Sequence, residues 1–102
     1  MTVKLVVLYT HPEDPDAFDR QYLDTHLPLV SKIPGLIRAE SGRLVAAIDG
    51  GEHTYYRAAG LYFADQADLE AGFGSDEGKA AAADYQKIAP PGSRMFVKAL
   101  DS

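Results

Sequence analysis

The chain has 102 residues, 46% hydrophobic and 25% charged, with a formal net charge of −5; this suits one domain over residues 1–102 with a single modest core. Its ten basic residues are scattered, which argues against the clustered positive surface that nucleic acid requires, and no apolar run approaches the roughly 18 residues that span a bilayer. The absence of cysteine removes disulfides, thiolate metal sites and cysteine nucleophiles.

Met1 to Lys4 leads straight into a β-like segment, without the three regions of a signal peptide. A cytoplasmic protein is the expectation. Val3 to Thr10 is β-branched and aromatic, too short for a typical helix, and apolar on both faces, so it reads as a strand inside a covered sheet. After the loop His11 to Pro15, Asp14 suits an N-cap and Pro15 the first helical position. The helix runs to the Leu27-Pro28 step, with a kink there and a continuation to Ile33, and Pro34-Gly35 stops it.

Leu36 to Ile48 reads as a second strand, with Gly42 as a candidate bulge, and Asp49-Gly50-Gly51-Glu52 as the turn of a hairpin into a third, Tyr55 to Phe63. Asp65 to Phe73 is a short helix. Ser75 caps another that runs through Ile88, although Gly78 stands where Glu or Gln would complete a capping box. Pro90-Pro91-Gly92 turns the chain into a last strand, Arg94 to Leu100. The order βαββαβ predicts an α+β, ferredoxin-like subunit: an antiparallel four-stranded sheet with helices on one face. Two helices can cover only one face. Apolar sets such as Val6 with Leu8, or Met95 with Val97, are expected to line the other one, and a homodimer packing sheet against sheet is predicted.

The sharpest signal lies in the first helix. With Phe18 at zero and about 100° per residue, Tyr22 and Leu29 fall in an apolar arc, and Asp19 near 100° and His26 near 80° lie at its centre. A buried carboxylate and imidazole each need partners. Seven residues apart, they stand about 10 Å from each other along the axis and cannot simply pair. Asp19 is explained by an arginine such as Arg38, Arg57 or Arg94. His26 has two readings: a core histidine satisfied by a tyrosine or carbonyl, or the polar group of a small-molecule pocket between helix and sheet. Pro28 removes a backbone donor beside it.

Phe18, Asp19, Tyr22, His26, Pro28 and Leu29 form the pattern F-D-x-x-Y-x-x-x-H-x-P-L, followed by Pro34-Gly35-Leu36. This pattern resembles the EthD-like family, named for ethyl tert-butyl ether degradation, of the dimeric α/β-barrel superfamily. Tyr9 closing the first strand, the acidic proline loop and Phe63-Ala64-Asp65 leading into a helix are similar too. The resemblance implies a ferredoxin-like subunit pairing into a two-subunit barrel, and a loose oxidoreductase association.

His11, His26 and His53 lack metal-ligand spacing, and no metal site is expected. Gly72 to Gly78 fails as a dinucleotide loop, and no flavin or haem attachment is evident, so no cofactor is assigned. Any redox power would come from a cofactor the sequence does not show, from molecular oxygen acting on an activated substrate, or from a partner enzyme. Tyr56 and Tyr62 are expected on one face of the third strand. Tyr9 and Tyr22 are the preferred substrate contacts, Tyr62 and His11 further ones, and His26 with Asp19 the catalytic candidates, since imidazole with a reference pKa of about 6.5 serves as acid, base or anchor. The leading expectation is an oxidoreductase-associated enzyme for a small hydrophobic molecule, with cofactor-independent monooxygenase-like or isomerase-like chemistry. The alternative is a non-catalytic dimeric carrier that delivers such a molecule to a partner oxygenase.

Overall fold

A computed structural model describes residues 1–101. β1 (Val3–Thr10) leads through helical segments to β2 (Leu36–Arg43), which forms an antiparallel pair with β3 (Tyr55–Phe63). β3 and β4 (Arg94–Ala99) flank β1, giving the antiparallel order β2-β3-β1-β4. With its helices on one face this is the ferredoxin-like arrangement. Alternation on β1 is strict: Val3, Leu5, Val7 and Tyr9 are buried, while Lys4, Val6, Leu8 and Thr10 face the other side. Among the described residues no helix is long and apolar enough to cross a membrane.

The first helical segment begins as predicted. Asp14 caps α1 (Pro15–Gln21) by accepting from the Ala17 N–H at 3.1 Å. It then continues through a π-turn, Tyr22–His26, into α2 (Leu27–Val30). The Leu27 N–H donates to the Tyr22 carbonyl, five residues back. Pro28 is the physical cause: in α geometry its ring would press on the carbonyl of Asp24, and it has no N–H to offer. The wider turn accommodates both facts without breaking the helix.

α3 (Gln66–Gly74) is capped by Asp65, and α4 (Asp76–Ile88) by Ser75, which accepts from the Gly78 N–H at 3.0 Å. The missing capping-box glutamate now has a reason. A Cβ at Gly78 would run into the Gly72 carbonyl and the Phe73 backbone, so the two helices meet without side chains between them.

Three expectations change. The second strand ends at Arg43, with a last backbone bond from the Leu44 N–H to the Tyr56 carbonyl at 2.9 Å before the chain leaves the sheet, and the register irregularity in β2 falls between Leu36 and Arg38, not at Gly42, which pairs with Ala58. Met95 and Val97 stand opposite Val7 and Leu5, on the helix side of the sheet, and Phe96 takes the outer face opposite Val6. Tyr56 and Tyr62 do not share a face. A bulge between the pairs Tyr9–Arg57 and Thr10–Tyr55 inserts one residue, so Tyr56 reaches helix α1 while Tyr62 lies opposite Lys4 on the outer side.

Gly78→Ala is expected to destabilise the fold by about 1–3 kcal/mol through overpacking. Gly74→Ala, where a Cβ meets open space, is expected to stay within about 0.5 kcal/mol of the parent in urea denaturation.

Candidate functional site

His26 ends the π-turn and is 5% exposed. Its Nδ1 lies 2.9 Å from Oδ2 of Asp84, itself 8% exposed, on the inner face of α4. Gln21 Nε2 donates to the other carboxylate oxygen at 3.4 Å. A carboxylate only accepts, so Nδ1 carries the hydrogen, and Nε2 of the neutral ring is an acceptor. Facing Nε2 is the Tyr9 hydroxyl at 3.4 Å, longer than a well-formed hydrogen bond. Burial pushes the Tyr9 phenol up, and the Tyr22 phenol as well, so both remain O–H groups near neutral pH. The Tyr22 ring lies against the imidazole, with 5.4 Å between centroids, and meets Tyr9 edge-on at 5.5 Å.

A cavity of about 230 Å³ opens against this group. Leu5, Val7 and Leu61 of the sheet form its floor, Phe73 and Tyr85 its walls, and Met95 lies at its β4 side. α4 contributes Ala81, Ala82, Tyr85 and Gln86 to the lining, and at the first two it presents only methyl groups. Their short side chains leave the space that larger ones would fill. Among the described residues, no three His, Cys, Asp or Glu side chains gather as a metal ion would require.

The structure brings Tyr9, Tyr22 and His26 together and places the other candidates apart from the cavity. Asp19 accepts from the Tyr56 hydroxyl at 2.7 Å and from Arg57 at 3.1 Å, which supplies the arginine partner expected from the sequence. That guanidinium lies 4.6 Å over the Tyr22 ring, so Asp19 reaches His26 only through a stack. Partial burial opposes the ionised form of Asp19, but the Tyr56 hydroxyl and the Arg57 guanidinium outweigh it and hold the carboxyl below its ordinary value. Tyr62 lies on the outer face, 4.2 Å under the Arg38 guanidinium. His11 occupies the loop after β1 and donates to the His53 carbonyl at 3.0 Å.

The residue that sequence reasoning missed is Asp84. Its signal was present. Ala81, Asp84, Tyr85 and Ile88 recur at helical spacing and form the face of α4 that packs inward, so the projection that exposed His26 would have shown an acid there too.

The model for the EthD domain matches residues 10–91. The chain belongs to the EthD family. A curated relative, an uncharacterized 11.0 kDa protein from the thcB-thcC intergenic region of Rhodococcus erythropolis, is 39% identical over 93 residues, covering 91% of this chain and 89% of its own. An EthD family protein from Bacillus halodurans has a crystal structure with a TM-score of 0.91 at 38% identity, covering 98% of this chain and 99% of that one. SnoaB, a cofactor-independent oxygenase from Streptomyces nogalater, shares the fold at a TM-score of 0.68 and 14% identity, with 99% and 94% covered. Other solved chains of this fold are described as dimeric ferredoxin-like proteins.

Because the Asp19 carboxyl titrates lower in the folded chain than its ordinary value of 3.8, it stabilises the fold above that value, and the contribution is lost as pH falls through the lower folded one. Asp19→Asn is therefore expected to lower the urea midpoint at neutral pH and to converge with the parent as acid protonates the Asp19 carboxyl in the folded chain.

Proposed function

We propose that the protein is an enzyme for a small, largely apolar organic molecule, with His26 as general acid or base and Asp84 as the residue that positions it. The observation that carries this reading is the Asp84–His26 pair set against the apolar cavity. An imidazole held through Nδ1 presents Nε2 to a ligand, and when Nε2 takes a proton the new positive charge lies beside a carboxylate. In that step the ligand's X–H bond breaks, an Nε2–H bond forms, and the electron pair stays on the ligand. Returned to a different atom, the proton completes an isomerisation. With molecular oxygen as oxidant, the anion formed at a ligand CH2 gives its electrons to O2, one oxygen atom remains on that carbon as C=O and the other leaves as water with the two hydrogens, a cofactor-independent, monooxygenase-like oxidation. In this reading Tyr9 donates to the developing anion, Tyr22 supports the imidazole, and Asp19 holds Arg57 over Tyr22 as a positioning residue. The oxygenase SnoaB, which has the same fold, is consistent with the second route.

The same cavity would suit a carrier that hands its ligand to a partner oxygenase, and turnover separates the two. Purified protein, without partners, is expected to convert a member of a panel of quinones and aromatic polyketide-like molecules. His26→Asn is expected to lower kcat by about 10²–10⁴-fold, with the fold checked by its melting curve. Binding without turnover favours the carrier. A large loss of stability in His26→Asn with unchanged binding overturns the enzyme reading.

We also propose a homodimer that packs outer sheet face on outer sheet face. Among the described residues no helix covers Val6, Leu8 and Phe96 there, and Leu44, Val45 and Ile48, after the end of β2, are exposed. The dimeric proteins of the same fold support this arrangement. Light scattering is expected to give twice the chain mass, and Phe96→Asp to shift the population towards monomer.

A further inference from the structure

We infer that the ligand of this cavity is a neutral hydroxyarene of one or two rings, with its hydroxyl seated between His26 Nε2 and the Tyr9 hydroxyl. The inference rests on reading the cavity as the ligand site, and it concerns which chemical group that site recognises.

Size sets the first limit. A cavity of roughly 150 Å³ holds benzene, and pockets for drug-sized molecules begin near 300 Å³. At about 230 Å³ this one lies between them.

Charge sets the second. Among the described residues no Lys or Arg lines the cavity, and the buried arginine nearby, Arg57, is engaged by Asp19. A carboxylate or phosphate would enter without a counter-ion, on the side where Asp84 already stands behind His26. The ligand is therefore uncharged.

Hydrogen bonding then selects the group. With Nδ1 committed to Asp84, Nε2 offers an acceptor and Tyr9 offers a donor, and the two are 3.4 Å apart. Their mutual bond is long and readily exchanged. A hydroxyl placed between them donates to Nε2 and accepts from Tyr9, satisfying both. An ether or ketone accepts from Tyr9 but leaves Nε2 unmatched, and a hydrocarbon offers nothing to either. An unmatched buried polar atom carries a definite penalty. The aromatic walls, Tyr9, Phe73 and Tyr85, favour an arene over an aliphatic alcohol, and a phenolic O–H is the stronger donor to an imidazole.

Calorimetric titration of the intact protein with 2-naphthol, 2-methoxynaphthalene, naphthalene and 2-naphthoate tests this. 2-Naphthol is expected to bind tightest, with the ether and the hydrocarbon about tenfold or more weaker and the carboxylate weaker still. Tyr9→Phe is expected to shrink the preference for the hydroxyl several-fold, and Ala82→Phe, at the exposed rim of the cavity, to weaken binding of all four molecules. Equal affinity for naphthol, ether and hydrocarbon overturns the hydroxyl assignment and leaves the cavity reading standing. So does preference for the carboxylate. Undiminished binding in Ala82→Phe places the ligand elsewhere, and no binding by any of the four overturns the cavity reading itself.

Discussion

A carboxylate and an imidazole can remain in a protein interior when each supplies what the other lacks, and the pairing of Asp84 with His26 meets that condition across a helix–helix contact. The pair joins α4 to the π-turn through a bond that neither segment can make alone. Removing either partner leaves a buried polar group unmatched, so the contact fixes the separation of the two helices as well as the orientation of the ring. The cavity beside it exists because that separation is held while α4 contributes alanines to the gap.

The turn that ends at His26 traces back to Pro28. The imino acid two residues later is accommodated by a widened turn, and His26, already on the inner side of the helix by its spacing, ends that turn beside Tyr22. Below Tyr22 the same logic repeats with stronger charges: Asp19 and Arg57 neutralise one another, and the guanidinium plane covers the aromatic ring. The result is a column running from an ion pair through an aromatic ring to an imidazole. It gives the ring a rigid backing on the side away from the cavity.

Much of this was legible in the sequence, because the signals were local. The β-branched run of β1 and the Asp14-Pro15 and Ser75 caps are decided within a few residues, and the βαββαβ order leads from them to the ferredoxin-like sheet; the first helical segment, expected to reach Ile33, instead ends at Val30, ahead of Pro34-Gly35. His26 stood out for the same reason: its anomaly is visible on a single helical wheel. What was not legible depended on registers between distant segments. A bulge in β3 puts Tyr56 beside Arg57 on the helix side, and no count along the strand reveals it. The face taken by Met95 follows from pairing with Val7, which only the assembled sheet defines. Asp84 was hidden differently. It follows the low-bulk run Ala80 to Ala83, and only the helical spacing of Ala81, Asp84, Tyr85 and Ile88 brings the acid to the inner face.

Those alanines have a consequence of their own. In the enzyme reading we propose, the groups that handle protons belong to β1, the π-turn and one position of α4, whereas the room beside them is set by what α4 omits at Ala81 and Ala82. Reactivity and steric selectivity are thus encoded at separate positions. Exchanging a methyl for a bulkier group on one helical turn would change the shape of the cavity while the Asp84–His26 pair stayed intact, so a scaffold of this kind can be retuned by editing its emptiness.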